Sequence, residues 1–220
     1  MPPTSQDDLA VQRAYDEVAD TYADHFRSTH FRSTGPEQPA DLGMIEHFAS
    51  LLPGDKHVLD AGCGAGRMMP VLAKLRCQVE GVDLSPGMIR RARHDHPGFP
   101  SQVASISTLP FPDGSFDGVF SWYSTIHIPD AGLPDVVGEA RRVLRSGGLF
   151  LVAFQTGQGV RDVSEGYRRR GHDIVLYRYD RAADSFSSLI ASAGMTEIGR
   201  LERAAVSDER TGQAVLVARA

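Results

Sequence analysis

Residues 58–67, VLDAGCGAGR, constrain this chain more than any other segment. An apolar pair, Val58 and Leu59, leads to Asp60; three alternating glycines, Gly62, Gly64 and Gly66, follow before a helical pattern opens at Arg67. A buried strand that turns into a helix over nearly bare backbone lets a ligand lie against the main chain, because glycine adopts positive φ and has no Cβ to collide with it. A flat or extended ligand is expected there.

The rest of the chain frames that turn. With 220 residues and no Ser/Gly- or Pro-rich divider, residues 1–220 read as a single domain. Residues 7–26 carry Val11, Tyr15, Val18, Tyr22 and Phe26 near one helical stripe, and Leu42, Ile45, Phe48 and Leu51 mark a second helix that stops at Pro53-Gly54. Residues 1–52 therefore form a helical cap. Beyond it the pattern predicts strands at 57–59, 78–82, 102–104, 118–121 and 149–154, and helices at 67–75, 86–94 and 133–144. Strands separated by helices imply right-handed parallel crossovers and a doubly wound α/β sheet. A helix at 184–193 is followed by strand-like runs at 196–201 and 213–219 with no helix between them, which reads as an antiparallel hairpin.

A net charge of −5 and a pI near 5.9 give no general attraction to nucleic acid or anionic membrane, so a small metabolite is the expected partner. No apolar run approaches the roughly 20 residues of a membrane span. Cys63 and Cys77, with an N-terminus MPPTSQDDLA that lacks a leader pattern, predict a reduced, cytoplasmic protein. HxxxH, CxxC and ligand-spaced acid pairs do not occur, so no metal is expected. HFRST at 25–29 is repeated at 30–34, either as a duplication in a tolerant loop or as a device by which Arg27, Arg32 and the histidines grip an anionic acceptor.

Asp83 closes the next predicted strand, where an acid can accept both hydroxyls of a ribose; it can also cap the helix that opens at Ser85-Pro86. Taken together, VLDAGCGAGR, VEGVDLSPGMIRRAR, LPFPDGSFDGVFSWYSTIHIP and LRSGGLFLVAF make the chain resemble the class I S-adenosylmethionine-dependent methyltransferases of the small-molecule type, including those of actinobacterial secondary metabolism and quinone biosynthesis.

The resemblance implies a Rossmann-like, doubly wound, seven-stranded, mostly parallel sheet with a C-terminal antiparallel hairpin and strand order 3-2-1-4-5-7-6. It implies S-adenosyl-L-methionine as cofactor, S-adenosyl-L-homocysteine as product, no metal, and a small-molecule acceptor. Gly62, Gly64 and Gly66, with Ala61 and Arg67 in the same turn, would meet the methionine portion, and Asp60 would help hold its amino group. Asp83 would bind the ribose. Leu84 and Met88 would lie on the adenine, although Met88 also reads as helix core. The family commonly carries an acid where this chain has Ser105; a hydroxyl there gives up about 1 kcal/mol of charge assistance, and the N–H of Ile106 still serves the ring. Tyr15 and Tyr22 would close over the methionine end or simply pack. Trp122 would face the adenosine or the sulfonium, or sit in the core.

Methyl transfer from a sulfonium is an in-line displacement helped chiefly by alignment and desolvation. His127, in the polar and aromatic run after the fourth strand, is the candidate base with an ordinary pKa near 6.5, or else it orients its loop. Tyr123 would face the acceptor. Residues 155–180 are expected to form a substrate lid, with Arg168, Arg169 and Arg170 either solvated or drawing in an acidic acceptor. Alternatives are a dehydrogenase, disfavoured by GxGxG in place of GxGxxG and by the hairpin; a cofactor-binding regulatory protein without catalysis; and a peptide methyltransferase. Either a monomer or a homodimer is compatible with the sequence.

Overall fold

A computed structural model of the chain describes residues 6–29, 37–207 and 209–220. Two helices lead, α1 (Gln6–Thr29) and α2 (Pro39–Leu51). The alternating part follows as β1 (His57–Ala61), α3 (Met69–Lys74), β2 (Gln78–Asp83), α4 (Pro86–Asp95), β3 (Ser101–Val103), β4 (Phe116–Trp122), α5 (Leu133–Val143) and β5 (Leu144–Gln155). The last part comprises β6 (Gly159–Asp162), α6 (Glu165–Arg168), β7 (Tyr177–Asp180), α7 (Ala183–Ser192), β8 (Thr196–Arg203) and β9 (Gln213–Arg219).

Seven strands form one sheet in the order β3-β2-β1-β4-β5-β9-β8. Counted within that sheet, this is the expected 3-2-1-4-5-7-6. β1 lies third from one edge, parallel to β2 and β4, with Asp60 opposite both Gly81 and Phe120. β9 runs antiparallel to β5 and β8. Each face is covered, as a mostly parallel sheet requires. Leu133 and Val137 of α5 and Phe186 of α7 pack on Phe150 and Phe154, and the Phe154 and Phe186 rings stack at 4.9 Å. On the opposite face, Ile45 and Phe48 of α2 and Leu72 of α3 meet Phe120 and Leu151. A Cβ at Gly118 would stand 2.7 Å from Leu52 and 2.8 Å from Phe48, so the bare backbone there lets α2 lie flush on β4.

Several expected boundaries move. The helix expected from Arg67 starts at Met69, because Gly66 at φ +81° holds the chain in a turn and Pro70 occupies the first helical turn. β5 begins at Leu144 rather than 149, running straight out of α5. The 155–180 segment is not mere loop: β6 and β7 pair antiparallel from Gly159 opposite Asp180 to Asp162 opposite Tyr177. Every residue of β6 is exposed, so no apolar alternation marks it in the sequence. Of the HFRST repeat, residues 30–34 and the side chains of 27–29 lie outside the described residues, as do the roles suggested for Arg27 and Arg32.

α1 is laid across α4. Asp16 Oδ1 accepts from Ser85 Oγ at 2.5 Å and from the Gly87 N–H at 2.8 Å. Arg91 reaches Asp20 at 3.1 Å and Asp24 at 2.8 Å, and Arg90 also meets Asp20. Exposed pairs of this kind each contribute about 0–1 kcal/mol; burial of Ala19 and Ala23 against Met88 supplies the apolar contact.

Candidate active site

A cavity of about 770 Å³ opens at the carboxyl ends of β1, β2, β4 and β5, roofed by α1 and flanked by the segment joining β6 to β7. Open α/β sheets bind ligands in this position, in the crevice beyond the carboxyl ends of their strands. Its floor is the glycine turn. The N–H groups of Gly62 and Cys63 both donate to the Val82 carbonyl at 2.8 Å, and Gly62 takes φ +83° where a Cβ would come within 2.2 Å of Ser124 Cβ.

Asp83 braces this turn: its carboxylate accepts from the Gly64 N–H at 2.8 Å and the Ser85 N–H at 2.9 Å. It does not cap α4, since the Ser85 hydroxyl fills that role by accepting from the Met88 N–H at 3.0 Å. Burial pushes the Asp83 carboxyl up, against the pull of those backbone donors. Asp60 is 1% exposed, and its Oδ2 has no partner among the described residues. Burial pushes its pKa up to about 7, with Arg67 opposing and Asp83 adding to the rise. A buried carboxylate with an open oxygen beside bare backbone is built to take a cationic group.

Leu84, Met88, Ser105 and Ile106 line one end of the same cavity. Met88 is buried and serves core and cavity together. The Ser105 hydroxyl is engaged within its own turn, sharing a 2.8 Å hydrogen bond with the Ser107 hydroxyl and accepting from the Ser107 N–H at 3.3 Å. Two expected residues fall outside the lining. Ala61 faces the core beside Leu59 and Val82, as strand alternation dictates. Gly66 lies behind the turn, where a Cβ would meet His96 and Ala92.

Arg67 reaches the cavity already paired with Glu37, its guanidinium 4.9 Å from the Phe26 ring centroid. Glu37 also accepts from Trp122 Nε1 at 3.3 Å, and the indole stacks on Phe120 at 5.5 Å. Tyr15 and Tyr22, about two helical turns apart on α1, meet edge to face at 6.0 Å above the glycine turn. Tyr123 follows β4 with φ +58°, an uncommon conformation for a bulky residue and one that costs about 1–2 kcal/mol; it aims the ring into the cavity. Burial, reinforced by the charge of Asp41, lifts its phenol above the ordinary range, so Tyr123 stays a hydrogen-bond donor at neutral pH.

His127 is 8% exposed and held at both nitrogens. Nδ1 lies 2.6 Å from the Tyr177 carbonyl, which can only accept, so Nδ1 carries the proton; Nε2 then accepts from the Tyr15 hydroxyl at 2.7 Å. Burial pushes the imidazole down to about 4, with Arg178 and Arg181 adding to the fall. The ordinary pKa near 6.5 expected from the sequence is therefore corrected: His127 is neutral across the physiological range.

Arg168, Arg169 and Arg170 do not line the cavity; Arg168 pairs with Asp162 at 3.3 Å. Gln155 and Arg178 of the expected lid segment line it, as do Glu37, Asp41, Arg203 and Gln213, which no sequence motif marked. Arg203 forks onto Asp41 at 2.8 and 2.7 Å and onto Glu209 at 2.6 and 2.8 Å. For Gln213 a signal was present: a glutamine opens an otherwise apolar strand.

Comparison with known proteins bears on this arrangement. Residues 58–148 match the family described as "Methyltransferase domain". The sterol 24-C-methyltransferase of Eremothecium gossypii is 29% identical over 200 residues, covering 84% of this chain and 52% of that protein, so the chain spans about half the length of this relative. An S-adenosylmethionine-dependent methyltransferase of Methanosarcina mazei superposes with a TM-score of 0.65 at 19% identity, covering 77% of this chain and 94% of that one. The [4+2]-cyclase SpnF superposes with a TM-score of 0.70 at 17% identity, covering 99% and 97%.

Proposed function

We propose that this chain is a class I S-adenosylmethionine-dependent methyltransferase of the small-molecule type, a reading supported by the methyltransferase-domain match over residues 58–148: it transfers the methyl group of S-adenosylmethionine to an oxygen or nitrogen of a small acceptor, in the cytoplasm. The observation that carries this reading is the unpartnered Asp60 carboxylate beside the glycine turn. It fits the amino group of the methionine portion, while Asp83 offers carboxylate oxygens at the ribose position and Leu84, Met88 and Ile106 an apolar slot for adenine. When bound, the cofactor supplies an electrophilic methyl on a sulfonium. The segment 155–180 serves as a substrate lid, and residues 1–52 as the cap.

The chain's own residues hold the acceptor's proton path. Tyr15 presents its oxygen to the cavity while donating to His127, so a proton taken up at that oxygen can pass on to Nε2. A buried histidine with a pKa near 4 is a weak base. It suffices when the proton leaves late, because an acceptor oxygen that has gained a methyl group is far more acidic than the free hydroxyl. His127→Asn is expected to lower turnover about a hundredfold with cofactor affinity within twofold. With S-adenosylmethionine saturating at every pH, so that the Asp60 titration does not enter, wild-type turnover should show no break near pH 6.5; such a break would mean that His127 titrates freely and this path is wrong.

Asp60 gives the cofactor affinity a pH dependence. An ammonium group binds the ionised carboxylate, and in the free protein Asp60 takes up a proton as pH falls through about 7. Affinity should therefore fall by up to tenfold per pH unit below 7 and level off above it. In Asp60→Asn the profile should be flat and the affinity low throughout. A wild-type affinity that does not change between pH 6 and 8 removes Asp60 from the ammonium site.

Calorimetry provides the direct test of the reading. S-adenosylmethionine and S-adenosylhomocysteine should bind in the micromolar range and NAD should not; the reverse order rejects the proposal. Cofactor binding without methyl transfer to any of a broad set of labelled-assay acceptors would instead favour a non-catalytic or differently catalytic protein on this fold, a reading to which the superposition on a cyclase gives substance.

A further inference from the structure

One corner of the cavity is polar without being occupied by its own contacts. Gln155 closes β5 and Gln213 opens β9, directly opposite each other in the antiparallel register. Both line the cavity, and the side-chain carbonyl oxygen of each is buried without a partner among the described residues. Gln213 is 5% exposed, and its amide is oriented by Nε2, which donates to the Thr211 carbonyl at 3.1 Å, so the oxygen is the end left open. Two buried acceptors of this kind call for a donor, since an unmet buried carbonyl costs about 1–3 kcal/mol.

The charges around the corner are already satisfied. Arg203 is shared by Asp41 and Glu209, while Asp180 holds Arg161 at 2.5 Å and Arg178 at 2.7 Å. Arg178 also donates to the Thr211 hydroxyl at 3.2 Å. Three carboxylates thus balance three guanidinium groups, and neither a cation nor an anion is favoured. The cavity wall also has an apolar part, which includes Ile126, Ile128, Val163 and Leu176.

We propose that the acceptor is a neutral, largely apolar alcohol or phenol, one hydroxyl of which, distinct from the atom that is methylated, donates to the side-chain carbonyl of Gln213 or Gln155. The inference rests on the methyl-donor reading above, because it treats this corner as the acceptor's side of the cavity. Gln213 is the main specificity determinant, and Gln155 a second acceptor within reach of the same or a neighbouring hydroxyl.

The test uses the full chain saturated with S-adenosylhomocysteine. 2-Naphthol, 4-butylphenol and borneol, each paired with its methyl ether, are titrated by calorimetry. At least one alcohol should bind tenfold or more tightly than its ether, and Gln213→Leu should bring that ratio below threefold with S-adenosylhomocysteine affinity unchanged, which also shows the variant to be folded. Gln155→Leu should reduce the ratio less. Equal binding of each pair, no binding of any member, or a preference that survives Gln213→Leu overturns the proposal while leaving the cofactor reading intact. Failure of the wild type to bind S-adenosylhomocysteine rejects the cofactor reading, and this proposal with it.

Discussion

Asp83→Ala is expected to weaken S-adenosylmethionine binding at least a hundredfold, about 2.8 kcal/mol. Two losses combine. In the proposed binding mode the ribose hydroxyls lose a charged acceptor, and charge-assisted hydrogen bonds are roughly twice as strong as neutral ones. At the same time the N–H groups of Gly64 and Ser85, which the carboxylate holds at 2.8 and 2.9 Å, are left without their partner. The glycine turn, proposed to carry the methionine portion, and the start of α4 then lose a shared brace, so the effect extends past the ribose position. Asp83→Asn separates the contributions: its amide keeps one acceptor oxygen and places a donor against a second donor, so it should fall between the wild type and alanine. Calorimetry measures the affinity, and circular dichroism confirms the fold. Unchanged affinity in the alanine variant would take Asp83 out of the binding site.

Gly62→Ala should destabilise the chain by roughly 2–5 kcal/mol, out of a typical 5–15 kcal/mol. The left-handed backbone at φ +83° accounts for about 1–2 kcal/mol of this. The remainder is overpacking, because the new Cβ would fall 2.2 Å from Ser124 Cβ and neither loop has room to retreat. Ser124 is tied down by a 2.6 Å hydrogen bond to the Ser121 hydroxyl. Urea unfolding measures the cost as a lowered midpoint with the slope unchanged. Adding Ser124→Gly should restore the overpacking part and leave the backbone part, so the double variant recovers only partially. A Gly62→Ala midpoint equal to that of the wild type would show that the turn is free to rearrange.

The parts of the molecule that periodicity and glycine spacing encode were legible in the sequence. β1, the turn, β2 with Asp83, and the terminal hairpin all follow from local patterns that burial on both faces of a sheet enforces. The ribbon β6–β7 was not legible, since its first strand buries nothing and its pairing depends on partners nearly twenty residues away. The cavity residues divide on the same physical line. Asp60 and Tyr15 belong to motifs contiguous in sequence, whereas Gln155, Gln213 and the Asp41–Arg203 pair come together only through the antiparallel return of β9 and the packing of α2 against the sheet. The environment of His127 was equally hidden. Its type and position were readable, but its protonation depends on a carbonyl fifty residues later and a hydroxyl more than a hundred residues earlier.

That imidazole has a further consequence. With one nitrogen bound to α1 through Tyr15 and the other to β7 through the Tyr177 carbonyl, it fastens the cap and the ribbon to the loop after β4 at a single point. The two elements that flank the cavity are therefore not independent modules. A chimera that exchanges the cap for a relative's, without the matching ribbon, would leave one ring nitrogen facing a foreign surface. Engineering a new acceptor range into this chain calls for transplanting cap and ribbon as a matched pair, and random recombination should recover active hybrids mainly where both came from the same parent.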